Sequence, residues 1–370
     1  MHILIAPNAF KNSLDAATAA EAISRGILSS RKNIMTSCFP VGDGGDGTGK
    51  LLMEHLNAES KSVIVSDPLR QPISASFGFL KEEGMAIIEL AEASGLRLLK
   101  ASEYNPMITD TFGTGQLMKA AISNGAKKII LTIGGSATVD GGVGILRALD
   151  YRFLSHEDKE IYHPSEFQQL ARIVFPSTTN LRQVELTILC DVQNPLIGPT
   201  GAAEIFSPQK GATPIMIDQL EKGLNVFSAI VMKQTGISID SIPHGGASGG
   251  VAAGLYGLAG AKLVNGIDYF LEITKFRAYL QKASLVITGE GSLDRQTLDG
   301  KAPFGVATMA KQLNIPVIGI AGRIEADAEL SKYFDQLICI NNGTDSLIEQ
   351  LANCERNLEQ TGRAIALAVE

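Results

Sequence analysis

The chain has 370 residues, a length that suits two domains or one large one, and its 45% apolar and 19% charged content excludes wholesale disorder. Lys and Arg number 32 against 39 Asp and Glu, a formal charge of −7, which is no footprint for nucleic acid. A bound anion must therefore be held by local donors against an unfavourable overall field. The four cysteines, Cys38, Cys190, Cys339 and Cys354, form no CxxC pair, as expected in a reducing compartment. The opening MHILIAPNAFKNSL turns polar after about eight residues, too short for a signal-peptide core. No uncharged run approaches the ~20 residues of a membrane helix. These features predict a soluble cytoplasmic protein with neither nucleic-acid nor membrane partners.

In chain order, the apolar run His2–Ala6 reads as a buried strand ending at Pro7-Asn8. Ser13 or Asp15 caps a helix with Ala16, Ala19, Ala20, Ile23 and Ile27 at helical spacing. A strand over 34–41 runs into GDGGDGTGK, and a helix with Leu51, Leu52 and Leu56 follows. From 61 to about 105, short alternating segments at 62–65, 73–80 and 85–90 suggest antiparallel strands. Then come a helix (115–124), a strand (128–133), a Gly-rich turn, a helix (142–149), a strand (185–191), a helix (215–234) and a Gly/Ala-rich packed helix (251–261). The far end alternates again: strands at 284–288, 315–321 and 336–340, helices at 303–313 and about 326–333, and a helical stretch at 344–369. The reading is an α/β protein whose parallel-sheet domain (1–61 plus 275–370) is interrupted by a mixed α/β domain (62–274). An insertion of this kind is expected to leave the ligand site in a cleft between domains.

Six Gly-rich or acid-rich turns follow strands: PNAFK, GDGGDGTGK, IGGSATVDGG, CDVQNPL, PHGGASGG and GEGSLDRQTLDGK. Glycine permits close approach and positive φ, so successive N–H groups can converge on an anion. Several such turns, two of them ending at Lys50 and Lys301, favour a phosphate-handling enzyme over a merely tightly turned fold. GGDGTGKL is not a P-loop, because Leu51 stands where a Mg²⁺-binding hydroxyl belongs. Asp43 and Asp46 on that loop are candidates for a metal or a substrate hydroxyl, or simply a helix cap. A dinucleotide site is disfavoured by the glycine-free first turn. No histidine has a Ser partner by spacing, and the cysteines are too scattered for zinc. Lys11 is the lone cation of its loop, and Asp191 ends an apolar strand where a general base can project. Asp294 and Lys301 bracket a donor-rich loop.

Together these segments resemble the type I glycerate kinases, the bacterial glycerate 2-kinase family. PNAFKNSL, VGDGGDGT, DTFGTGQL, GGSATVDGG, CDVQNPLIGPTGAAEIFSPQKGA, GGASGG and LVITGEGSLDRQTLDGKAPFGVA carry the resemblance over essentially the whole chain. It implies transfer of the ATP γ-phosphoryl group to D-glycerate with Mg²⁺, giving 2-phosphoglycerate. It also implies a flavodoxin-like domain interrupted by a second one. The chain departs from the family at Asn8-Ala9 (often Asp-Ser), Asp46 (Glu), Gln193 (Asp) and PHGGASGG (PGAGAAGG), so neither Asn8 nor Gln193 can be the base.

With the resemblance, the expected roles are these. Asp191 is the base, with Asp294 in reserve, and Lys11 neutralises the glycerate carboxylate or the moving phosphoryl. Asn8, Asp43, Ser136 and Gln193 line the glycerate site, and Asp43 and Asp46 hold Mg²⁺. Gly134, Gly135, Gly246, Ser248, Gly249, Glu290 and Lys301 receive the nucleotide phosphates. A homodimer is a candidate assembly. The competing readings are a kinase for another small hydroxy acid and a non-catalytic glycerate- or nucleotide-binding regulator.

Overall fold

The computed structural model describes residues 1–369 apart from 31, 178–182, 326–328 and 342–344. In chain order the strands are β1 (His2–Ile5), β2 (Met35–Cys38), β3 (Glu59–Ser66), β4 (Pro72–Leu80), β5 (Met85–Glu89), β6 (Lys128–Thr132) and β7 (Arg152–Ser155). There follow β8 (Leu170–Val174), β9 (Glu185–Cys190), β10 (Lys262–Asn265), β11 (Leu285–Leu293), β12 (Val317–Ile324) and β13 (Gln336–Cys339). The chain forms two compact units, Met1–Asp43 with Ile267–Glu370, and Gly44–Gly266. Among the described residues, no helix is long and apolar enough to cross a membrane.

The first unit is built on a five-stranded, wholly parallel sheet in the order β13-β12-β11-β1-β2. Numbered within the unit, that order is 2-1-3-4-5, the flavodoxin-like arrangement. Strand residues such as Ile3, Ile5, Ile287 and Ile320 are buried because helices cover the sheet, which is why these strands are apolar runs and not alternations. Asp15 caps the helix Ala16–Ser29 by accepting from Thr18 N at 2.7 Å. That helix lies against the helix Cys354–Ala368 at glycine contacts. A Cβ on Gly26 would stand 1.9 Å from Glu359 O, and one on Gly362 would stand 2.3 Å from Ile23 O. The stretch expected as one helix from 344 is two, Leu347–Ala352 and Cys354–Ala368, parted at Asn353, where ψ rises to 0°. Of the helix expected over about 326–333, residues 326–328 lie outside the described residues, and Leu330–Lys332 form only a 3₁₀ turn.

The second unit carries a six-stranded mixed sheet, β10-β9-β6-β5-β4-β3, and a small antiparallel pair, β7-β8. β3, β4 and β5 are antiparallel neighbours as their alternation suggests, but β5 also pairs in parallel with β6. The structure thus differs from the antiparallel reading of 85–90 on one edge, because the helix Phe112–Ser123 supplies a crossover back to the same sheet. β7, β8 and β10 are short and lack an alternation strong enough to announce them. The helix Thr48–His55, grouped above with the first domain, falls in the second unit, packed on β5 and β6. Residues 267–274, grouped with the inserted domain, belong to the first.

Candidate active site

In the first unit β1 and β11 are parallel neighbours at the point where the strand order reverses, and ligands favour the carboxyl ends of strands there. Beyond β1, Asn8 N still donates to Gly289 O at 2.8 Å, so the turn begins as an extension of the ladder. Phe10 and Leu14 exchange two 2.9 Å backbone bonds, which close a tight loop with exposed Lys11 near its tip. β11 continues to Leu293 and presents Glu290. Gly289 before it must be glycine, because a Cβ would lie 1.9 Å from Ile320 O on β12.

Glu290 is 6% exposed, and four charges face it. Burial pushes its carboxyl up to about 7; Lys301 and Lys11 pull it down, and Asp43 and Asp294 push it further up. Lys301 Nζ stands 3.8 Å from Glu290 Oε1, an oxygen buried without a hydrogen-bond partner. Asn8 donates through Nδ2 to Asp43 Oδ2 at 2.9 Å, while Ala9 N donates to Asn8 Oδ1 at 2.8 Å. Asp294 caps the 3₁₀ turn Arg295–Asp299, accepting from Thr297 N and from Ser292 Oγ, both at 3.3 Å. Six sequence-predicted residues, Asn8, Lys11, Asp43, Glu290, Asp294 and Lys301, therefore belong to one charged cluster.

The remaining predicted residues lie in the second unit. Asp46 keeps company with Glu89, a residue that sequence reasoning missed. Buried Glu89 accepts from Gly47 N at 2.7 Å and Lys50 N at 3.2 Å, and it hydrogen-bonds the Asp46 carboxyl. Burial first, then Asp46, raises the Glu89 carboxyl to about 7. Arg97 Nε lies 4.0 Å from Asp46 Oδ1. Lys50 is a solvated lysine, 4.0 Å from Glu54.

Several backbone groups of the turns expected to cradle phosphate are engaged within the protein. Gly134 N donates to Gly44 O at 3.1 Å, Ala137 N to Ser94 O at 2.9 Å, and Gly246 N to Asn194 O at 2.8 Å. Gly135 O accepts from Leu96 N at 2.8 Å. Ser248 donates through its hydroxyl to Ile133 O, and Gly249 O accepts from Gly141 N at 3.0 Å. Ser248, Gly249 and Gly250 all have positive φ, so the helix expected over 251–261 is preceded by a left-handed turn. A Cβ on Gly249 would stand 2.1 Å from Thr138 O.

Ser136 accepts from Lys210, which is only 2% exposed and was also missed. Lys210 Nζ donates to Ser136 Oγ at 2.8 Å and Thr138 O at 2.6 Å. Burial lowers its ammonium to about 7, and Asp140 partly restores it. The only signal in the sequence was a lone lysine in PQKGA. Gln193 is exposed, and its carbonyl accepts from His244 N at 3.4 Å. Asp191 is half-buried where β9 ends; burial and then its charge raise the neighbouring Cys190 thiol.

Among the described residues, no group of three or more His, Cys, Asp or Glu is arranged to hold a metal ion. Mg²⁺ needs less protein than that, one or two carboxylates beside phosphate oxygens. Glu290, with a buried oxygen lacking a donor, and neighbouring Asp43 fit that requirement.

The glycerate kinase family model matches residues 3–370. A glycerate kinase from Bacillus subtilis (strain 168) is 42% identical over 100% of this chain and 98% of its own length. A glycerate 2-kinase from Escherichia coli (strain K12) is 35% identical over 99% of this chain and 97% of its own. The solved structure named for glycerate kinase 2 from Salmonella typhimurium LT2 superposes with a TM-score of 0.83 at 36% identity, covering 99% of this chain and 97% of that one. With the match running through both units and every motif turn, the chain belongs to the glycerate kinase family.

Proposed function

We propose that this kinase transfers the γ-phosphoryl group of ATP to the 2-hydroxyl of D-glycerate, giving 2-phospho-D-glycerate. The observation that carries the reading is the cluster around Glu290, where two lysines and three carboxylates meet at the switch point of a parallel sheet. Phosphoryl transfer asks a protein chiefly for alignment and neutralisation of charge. Lys11 and Lys301 supply positive charge for the moving group, and Asn8 holds Asp43 in place. Asp43 and Glu290 are the residues that would hold Mg²⁺, which when bound neutralises phosphate oxygens. Asp191, half-buried where β9 ends, is the proposed acceptor of the hydroxyl proton.

The name of the Escherichia coli relative supports the 2-position. Phosphorus NMR of the product formed from ATP, Mg²⁺ and D-glycerate tests reaction and regiochemistry together. A 2-phosphoglycerate resonance is expected. A 3-phosphoglycerate resonance would overturn the regiochemistry, and no phosphorylated product the reaction itself.

A further inference from the structure

The first unit holds a cavity of about 390 Å³. It opens at the carboxyl ends of β11 and β12 and among the loops that follow β1 and β13, and its lining includes Lys11, Glu290 and Lys301 of the charged cluster. Its lining combines the cations Lys11, Lys301 and Arg323 with the apolar side chains of Phe10, Ile340, Leu351 and Cys354. Ser13 Oγ donates to Leu351 O at 2.7 Å and so ties the loop after β1 to the helix Leu347–Ala352, closing one side. Among the lining residues, the side-chain amides of Asn341 and Gln350 are committed to the protein. Asn341 donates to Gly322 O at 2.8 Å and Gln350 Oε1 at 3.1 Å, and Gln350 donates to Asp345 O at 2.7 Å.

This is a poor container for glycerate alone. A three-carbon hydroxy acid is small, offers almost no apolar surface and would leave the Phe10–Leu351 wall facing water. The volume falls in the range of roughly 300–1,000 Å³ typical of pockets for larger ligands. A ligand that suits both kinds of lining needs a flat apolar ring and a polyanionic tail. The three cations outnumber the one lining carboxylate, Glu290.

We propose that this cavity is the nucleoside triphosphate subsite, the base against Phe10, Ile340, Leu351 and Cys354 and the phosphates toward Lys11, Lys301 and Arg323. The assignment rests on the phosphoryl-transfer reading above and moves nucleotide recognition to the first unit, away from the turns at 134–138 and 245–250. Because the nearby amides already bond to the protein, the base is held by burial of its faces more than by its edge.

The chain contains no tryptophan, so a single introduced one is a specific reporter. Leu347 is 69% exposed at the cavity rim, so Leu347→Trp leaves the core intact. Titration of this variant with ADP and no glycerate is expected to change its tryptophan fluorescence saturably, whereas glycerate alone leaves it unchanged. Leu351→Trp, which adds bulk among the apolar lining residues, is expected to raise the KM for ATP at least tenfold and to keep the KM for glycerate within threefold.

An ADP-insensitive Leu347→Trp signal overturns the proposal, as does a folded Leu351→Trp enzyme whose ATP KM is unchanged or whose glycerate KM rises instead. If Leu351→Trp does not fold, the Leu347→Trp titration decides alone. If wild-type protein turns over no ATP with glycerate, the reaction reading fails, and the ADP titration still decides the subsite by itself.

Discussion

The side-chain amide of Asn8 donates to Asp43 Oδ2 at 2.9 Å, joining the turn after β1 to the last residue of the first unit's opening segment. Ala9 N holds the other end of the amide, so Nδ2 can only point at the carboxylate. A hydrogen bond to a charged group contributes about 1.5–3 kcal/mol, or roughly 10- to 100-fold in rate when it orients a reacting group. Asn8→Leu keeps the volume and removes the donor. Steady-state kinetics should show kcat/KM falling by that factor while the melting temperature stays within a few degrees. A variant within twofold of wild type would show that Asp43 needs no such support.

Glu290 ties activity to a stability cost. Its unfolded value is 4.5 and its folded value about 7, so between these the folded protein keeps a proton that the unfolded chain has lost. The group's contribution to stability therefore falls as pH rises through that window, by on the order of 3 kcal/mol. Glu290→Gln removes this dependence. Thermal melts should place the variant several degrees above wild type at pH 8, with the gap closing toward pH 4.5, while turnover is lost. Parallel melting curves across that range would contradict the burial argument.

Lys210 works in the opposite direction. Its ammonium is held at about 7, below the ordinary 10.5, so between those values the folded protein binds fewer protons than the unfolded chain. Its contribution to stability is lost as pH falls from 10.5 through 7. Lys210→Met keeps the stem but leaves Ser136 Oγ and Thr138 O without their donor, at about 1–3 kcal/mol for each group left unpaired. Relief from enclosing the amine offsets part of this. Urea denaturation should find the variant about 2 kcal/mol less stable than wild type at pH 9, and less penalised at pH 6. Equal penalties at the two pH values would mean that the amine does not titrate in this range.

Asp191 and Asp294 separate by what else each does. Asp191→Asn is expected to lower kcat by roughly 10²- to 10⁴-fold with the glycerate KM within a few-fold of wild type. Asp294→Ala should cost about 1 kcal/mol of stability through its cap and less than tenfold in kcat. Single-turnover assays beside thermal melts distinguish them, and the reverse pattern would transfer the proton acceptor to Asp294.

The strand positions of the two larger sheets, β10 apart, were legible in the sequence, since buried parallel strands write themselves as apolar runs and half-covered antiparallel ones as alternations. The chemistry was legible as a set of residue types at strand ends, Lys11, Asp43, Glu290, Asp294 and Lys301 among them. Pairing was not. That β5 runs parallel to β6, that β1 sits beside β11, and that Glu89 and Lys210 are enclosed all follow from contacts between segments remote in the chain. The same holds for the glycine turns, whose sequence advertises available N–H donors while the fold engages Gly134, Ala137 and Gly246 with its own carbonyls. Local periodicity and turn chemistry are properties of neighbouring residues and can be read in order. Which charge is desolvated, and which donor is left over, depends on what distant chain covers it, and only the tertiary structure decides that.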